Sequence, residues 1–300
     1  MLKVAYHPIY KHPLPDGHRF PMHKYDLLPQ QLLHEGTCTP DNFFEPGMPS
    51  QADILRAHDP GYVRALREGE LTARQMRKVG FPWSPELVQR ELRIAQGTIE
   101  GCHFALQYGV SMNIAGGTHH AYSDRGEAFC MLNDQAIGAH YLLANNLANR
   151  ILILDLDVHQ GNGTAEIFSN VEQVFTFSMH GKANYPFKKE VSDLDIALDR
   201  GTPDRVYLEK LSASLSFLLD TVNPDFIFYL SGVDILETDK LGTLGLSLEG
   251  CRRRDEMVFR WSHRHQIPVQ CSMGGGYSPQ LRTIVSAHAA TYQMANQIYF

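Results

Sequence analysis

Arg150-Ile-Leu-Ile-Leu-Asp-Leu156 runs straight into Asp157-Val-His159-Gln-Gly161-Asn162-Gly163. The apolar run predicts a strand buried in the middle of a sheet. Around it, short apolar runs alternate with longer amphipathic ones. Strands are expected at Val4–Tyr6, Ser111–Ile114, Gln173–Phe177, Asp225–Leu230 and Val269–Ser272. Helices are expected at Glu86–Tyr108, Leu132–Leu147, Pro203–Val222, Leu248–Arg264 and Pro279–Tyr299. Ser84 and Pro85 read as the cap and first position of one helix, and Thr202 and Pro203 as those of another. Strand–helix alternation from about residue 110 predicts an α/β fold. The expected form is a single-domain doubly wound parallel sheet over residues 1–300, with helices on both faces. The first stretch, up to about residue 80, has more Pro and His and weaker periodicity. It is expected to wrap the sheet and supply loops to its rim.

Ligands of such sheets bind beyond the carboxyl ends of the strands, and four segments place chemistry there. Asp155, Asp157 and His159 follow the apolar strand at alternate positions, which sends them to one side of it. Together they suit Zn²⁺, Mn²⁺ or Fe²⁺, although polar residues also end strands simply to turn the chain. Ser231-Gly-Val-Asp234 ends the strand DFIFYL. A lone Asp there is most often a cap, but it would also complete a set of three ligands with an open position. Gly116-Gly117-Thr-His119-His120 and Met273-Gly-Gly275-Gly-Tyr277 follow two further strands. Paired histidines can be ordinary surface residues, and a Gly-rich turn can be merely flexible. At the rim of this sheet they could instead supply acid–base chemistry and an oxyanion donor.

The chain has 300 residues, 43% of them hydrophobic and 20% charged, with a net charge of −6. That is an ordinary globular composition, and the acidity argues against a generic nucleic-acid binder. Fifteen His stand against five Cys with no C-x-x-C pair, which argues against a disulfide framework and a zinc ribbon. The N-terminal MLKVAYHPIYKHPLPDGHRF has no apolar core of a secretory signal, and no run of 18 apolar residues occurs. The expected setting is the cytoplasm, with no membrane partner.

Taken in order, GGTHHAYSDRGEAFC, ILDLDVHQGNGTAEIF, SGVDILETDKLGTLGLS and MGGGYSP make the chain resemble the zinc-dependent histone deacetylase superfamily. The likeness covers at least residues 58–295, and SDRG with VDILETDKLGTLGLSLEGCRRRDEMVFR is most similar to the class IV branch and its bacterial relatives. The resemblance implies the arginase-like doubly wound fold. It implies one zinc held by Asp157, His159 and Asp234, with water and a substrate carbonyl on the open side. His119 and His120 match the family's tandem histidines, Asp155 and Asn162 their partners, and Tyr277 the oxyanion-stabilising residue. A carboxylate partner favours an imidazolium and an amide does so much less. His120 is therefore expected as general base and then acid, with His119 as electrostatic support. The resemblance further implies a potassium ion near Asp155, Asp157, His159 and Ser178. It also implies a substrate tunnel walled by Phe129, Tyr185 and Gly275.

Two positions depart from the pattern: Ala128, where many relatives carry Gly, and Gln160, where class I members carry His. Neither removes a ligand or the tyrosine, so an active enzyme is expected. The implied reaction is removal of acetyl or longer acyl groups from lysine side-chain amides of a protein or peptide. The alternatives are a small acylated amine such as an acetylpolyamine, and a non-catalytic acyl-lysine binder. A two-manganese arginase-type enzyme is disfavoured, because Gly161 stands where a further ligand would be needed.

Overall fold

The computed structural model describes residues 1–300. Its strands are β1 (Lys3–Ala5), β2 (Phe43–Phe44), β3 (Val110–Asn113), β4 (Ile151–Asp155), β5 (Val174–Gly181), β6 (Leu194–Leu198), β7 (Phe226–Leu230) and β8 (Val269–Ser272). They form one sheet in the order β2-β1-β3-β8-β7-β4-β5-β6, and every pairing is parallel. The helices are α1 (Lys24–His34), α2 (Gln51–Leu55), α3 (Pro60–Glu68), α4 (Ala73–Val79), α5 (Pro85–Tyr108), α6 (Asp134–Ala144), α7 (Asn162–Phe168), α8 (Asp204–Thr221), α9 (Leu248–Arg264) and α10 (Leu281–Tyr299). They surround the sheet, with α5 and α6 packed together in one layer and α1, α8, α9 and α10 in the other.

β4 shows why the aliphatic run folds as it does. It lies between β5 and β7, with Leu154 opposite Phe177 on one side and Tyr229 on the other. All five of its residues are buried. Each aliphatic side chain there contributes roughly 1.5–3 kcal/mol of burial. α5 begins as expected: Ser84 Oγ accepts from Leu87 N–H at 3.1 Å and Pro85 occupies the first helical position. It ends at Gly109, whose φ of 87° is left-handed.

The chain runs outward from β4 to β5 and β6, then returns through β7 and β8 to meet β3. This reversal puts the C-terminal ends of β3, β8, β7 and β4 side by side, the crevice where such sheets bind ligands. No helix is long and apolar enough to cross a membrane.

Several expectations need correction. The N-terminal stretch does more than wrap the sheet and supply loops to its rim: it forms four helices, it adds β1 and the edge strand β2 to the sheet itself, and its residues join the same hydrophobic core as Ala295. Thr202 does not cap α8: Pro203 is the N-cap, while the Thr202 hydroxyl donates to Asp199 O at 2.6 Å. β5 continues four residues past Phe177. β6 and α7 were not expected at all. β6 is a half-exposed edge strand, and α7 opens on Asn162-Gly163, which read as a turn.

Candidate active site

β4 ends at Asp155, so Asp157 and His159 are not placed by strand alternation. The chain bends instead. Asp157 N–H donates to Asp155 Oδ1 at 3.1 Å, and His159 N–H to Asp157 Oδ1 at 3.0 Å. Asp155 therefore turns away from the other two, and Asp234 takes its place from the end of β7. Asp157, His159 and Asp234 are buried and offer ligand atoms within 4.8 Å of one another. His159 Nδ1 lies 3.0 Å from Asp157 Oδ1 and 3.1 Å from Asp234 Oδ2.

Three features fit this cluster to a metal. Two carboxylates and an imidazole with an open side are a donor set suited to Zn²⁺. Asp234 Oδ2 has no hydrogen-bond donor of good geometry despite its burial. A Cβ on Gly275 would stand 2.0 Å from Asp234 Oδ2 and 2.8 Å from Asp157 Oδ2, so only glycine leaves the space open. The protonation pattern agrees. Burial, then the charge of Asp157, pushes Asp234 up to about 7. Burial opposes a charge on His159, but both carboxylates outweigh it and lift the imidazole to about 10. A proton thus sits where a cation is wanted.

His119 and His120 lie with ring centroids 4.0 Å apart and their planes tilted by 44°, and each has its own partner. His119 Nδ1 lies 2.6 Å from Asp155 Oδ2, and His120 Nδ1 lies 2.6 Å from Asn162 Oδ1. The amide is oriented by a relay: Asn162 Nδ2 donates to the Tyr122 hydroxyl at 2.9 Å, which donates to Glu190 at 3.2 Å. With Oδ1 as the acceptor, His120 carries its proton on Nδ1 and leaves Nε2 as a free base. Burial opposes charging His119, yet the Asp155 carboxylate prevails and raises its pKa. Burial lowers His120 far below its usual range, and the charges of His119 and His159 add to the fall.

The cluster and the histidines line a cavity of about 420 Å³, together with Tyr277, Phe129, Tyr185 and Gly275. Tyr185 stands edge-on to His120 at 4.9 Å, and the Phe129 ring lies 6.1 Å from that of Tyr277. Burial and the nearby Asp234 and Asp157 keep the Tyr277 hydroxyl protonated, so it can donate. Of the four residues expected around a monovalent cation, Asp155 and Ser178 already have side-chain partners. Asp155 and Ser178 are register partners across β4 and β5, but the Asp155 carboxylate serves His119, and Ser178 Oγ pairs with His180 Nδ1 at 2.9 Å.

A family model described as the histone deacetylase domain matches residues 18–292. The chain belongs to the histone deacetylase family. It is 44% identical over 296 residues to an uncharacterized protein of Picosynechococcus sp., covering 99% of each chain. It is 30% identical over 278 residues to histone deacetylase 2 of Arabidopsis thaliana, covering 90% of this chain and 72% of that one. Among solved structures it is similar to a histone deacetylase homologue complexed with SAHA, at a TM-score of 0.85 and 22% identity, covering 99% of this chain and 84% of that one. A homologue from Aquifex aeolicus gives a TM-score of 0.83 at 21% identity, covering 98% and 84%. The chain is thus a histone deacetylase-family hydrolase with the fold expected from its sequence.

Both departures from the family pattern find local roles. Gln160 is buried, donating to Asp195 Oδ1 at 2.9 Å and Glu190 O at 2.8 Å and accepting from Glu190 N–H at 2.9 Å. It fastens the loop after β5 under the site. Ala128 and Phe129 have φ of 44° and 68°, a left-handed turn that costs an alanine roughly 1–2 kcal/mol. The turn is held because their N–H groups donate to Lys78 O and Val79 O at 2.9 and 2.6 Å.

Sequence reasoning missed three supports of this histone deacetylase-family site. Asp134 accepts from Thr118 N–H at 2.9 Å and so anchors the loop of the paired histidines. Lys24 is buried, with its ammonium 3.1 Å from the accepting Gly274 carbonyl and 5.8 Å from the Tyr277 ring centroid. Arg254 is buried beneath the ends of β4 and β7. Only a cap position (Asp134, after Asn133) carries a local signal.

Proposed function

We propose that this chain is a zinc-dependent acyl-lysine deacylase, cleaving acetyl or longer acyl groups from lysine side-chain amides of proteins or peptides. One observation carries the reading: two adjacent histidines with unlike partners, lining one cavity with Asp157, His159, Asp234 and Tyr277. Asp157, His159 and Asp234 would hold the zinc, which when bound supplies a Lewis acid for an amide carbonyl and lowers the pKa of water.

The remaining work falls to this chain's side chains. His120 Nε2 takes a proton from the attacking water and delivers it to the leaving lysine amine. His119, kept charged by Asp155, supplies positive potential as negative charge develops. The Tyr277 hydroxyl donates to the carbonyl oxygen as it becomes an oxyanion. Phe129 and Tyr185 confine the lysine methylenes, and Gly275 keeps the wall free of a side chain. A potassium ion near Asp155, Asp157, His159 and Ser178 belongs to the same reading, as does placement near the class IV branch. The five unpaired, buried cysteines fit the reducing cytoplasm we assign to it.

A panel of acyl-lysine peptides and acetylated polyamines, assayed with and without chelation, tests this. Chelation should abolish turnover and zinc restore it. Tyr277→Phe should lower kcat by on the order of 10²–10³, and His120→Ala should cost more than His119→Ala. Turnover indifferent to chelation or to the tyrosine hydroxyl would overturn the mechanism. Polyamine turnover without peptide turnover would replace the substrate class.

A further inference from the structure

Resting on the acyl-lysine reading, we propose that the mouth of the cavity selects acyl-lysine flanked by acidic residues in a polypeptide. The protein as a whole carries a net charge of −6, yet the mouth is cationic. The only carboxylates lining the cavity are Asp157 and Asp234, which are committed to the metal cluster on its floor. Arg19 and Lys78 line one side. Arg19 is exposed, its guanidinium 5.0 Å above the face of Phe129, and no carboxylate of the fold pairs with it. Five N–H donors of a planar fork are therefore presented beside the tunnel wall.

The loop after β5 also lines the cavity, through Tyr185 and Phe187. Lys182 and Lys188 in this loop are exposed and likewise lack ion-pair partners. The acid shared by Tyr185 and Lys78 is already taken. Glu127 accepts from the Tyr185 hydroxyl and pairs with Arg125 at 3.1 Å and Lys78 at 3.5 Å. Phe187 is 93% exposed, an apolar contact ready for a peptide side chain.

A substrate arriving with positive charge beside its amide, such as an acetylated polyamine or a lysine-rich tail, meets repulsion and finds no carboxylate on the lining outside the metal cluster. One with Glu or Asp beside the acyl-lysine meets the unpaired Arg19 on the lining and, on the loop that carries Tyr185 and Phe187, the unpaired Lys182 and Lys188. Fields of this kind raise association rates by roughly 10–10³ and are screened by salt.

The test uses the full zinc-loaded chain and two acetyl-lysine peptides of equal length, with Glu or with Lys at the flanking positions. At about 0.02 M salt, kcat/KM should favour the Glu peptide by roughly tenfold or more. At about 0.5 M salt the preference should shrink towards unity. Arg19→Glu should cut the low-salt ratio by roughly threefold or more. A ratio of one or below at low salt in the native chain overturns the proposal. Fluorescence anisotropy of the same peptides, labelled, on the Tyr277→Phe protein separates recognition from chemistry. Tighter binding of the Glu peptide without turnover by the native chain would leave this inference standing and sink acyl-lysine hydrolysis. Equal or reversed binding would sink the inference, whatever the turnover.

Discussion

His119 and His120 are identical side chains in adjacent positions, and their hydrogen-bond partners make them different acids. A buried carboxylate 2.6 Å from one and a neutral amide 2.6 Å from the other push their pKa values apart. Asn162→Asp removes that difference while keeping an oxygen acceptor in place. The His120 pKa should then rise by roughly 1–3 pH units. Because the general base must be neutral, the acid limb of the kcat/KM profile should move to higher pH and turnover at pH 7 should fall. An acid limb unchanged in the variant would show that His120 is not the titrating base. Lys24 acts at the same scale. Burial lowers its pKa to about 8, against the raising influence of Asp234 and Asp157, and it grips the carbonyl three residues before Tyr277. Lys24→Met preserves the volume but releases that carbonyl. A displacement of Tyr277 by an ångström can cost about 10²-fold, so kcat should drop while KM stays close to native. A variant with native kcat would reduce Lys24 to packing.

Among the elements, those whose burial is written in their own residues were legible. β4 is aliphatic because both its faces are covered, and α5 announces itself with Ser84-Pro85 at one end and Gly109 at the other. α9 and β8 fall at the expected limits. The N-terminal helices were not expected, although two carry local signals: α3 starts on Asp59-Pro60 and buries Tyr62, Val63 and Leu66 on one face, and α4 opens on the Thr72/Gln75 capping box. α2, α3 and α4 are too short to give a sustained period. Asp157, His159 and Asp234, grouped from residue types, do come together, but not by strand alternation. Strand alternation puts Asp155 on one side with Asp157 and His159, whereas the resemblance pairs it with His119, and the bend after β4 gives the second arrangement. Most of the fifteen histidines also gave no local clue. His58, which follows α2, is one. Its Nδ1–H donates to Tyr122 O at 3.0 Å, and its Nε2 accepts from Asn133 N–H at 2.9 Å. It thereby joins the histidine loop to the cap of α6. Burial holds it down at about 4, from an ordinary 6.5. The unfolded chain therefore takes up a proton below pH 6.5 that the folded chain refuses until about 4. Stability linked to His58 is full above 6.5 and lost as pH falls through that window, by about 3 kcal/mol. His58→Gln can keep both hydrogen bonds without the titration. Urea unfolding at pH 7 and pH 4 should show the native chain's advantage over His58→Gln shrinking by about that amount. A gap independent of pH would rule out His58 as a source of acid lability. Ile153→Ala, at 1% exposure in β4, should by contrast cost about 2–5 kcal/mol at either pH.

At the scale of the whole molecule, the site exists because the sheet order brings together segments far apart in sequence. Asp157 and Asp234 sit on neighbouring strand ends only because β7 returns beside β4 after β5 and β6 have been laid down outside it. Arg254 ties those two ends from the helical layer behind them. Its guanidinium donates to Leu156 O at 3.4 Å, Ser231 O at 3.3 Å and Gly232 O, and it pairs with Asp255 at 2.8 Å. Asp255 is held in turn by the Tyr229 hydroxyl and by Thr291 Oγ1 at 2.8 Å. One buried cation thus satisfies the carbonyl preceding Asp157 and the carbonyl two residues before Asp234. Removing it should act on metal binding as well as on folding. Arg254→Met leaves three carbonyls without this donor and the buried Asp255 carboxylate without its counter-charge, a loss of about 3–5 kcal/mol. The two carboxylate ligands also lose their common support, and changes behind metal ligands typically weaken binding by roughly 10–100-fold. Titration with zinc against a chromophoric chelator, at a temperature where circular dichroism shows the variant folded, measures the second effect apart from the first. A folded Arg254→Met protein that binds zinc as tightly as the native chain would mean that Arg254 supports the core and not the site, and that β4 and β7 hold the ligand geometry by their pairing alone.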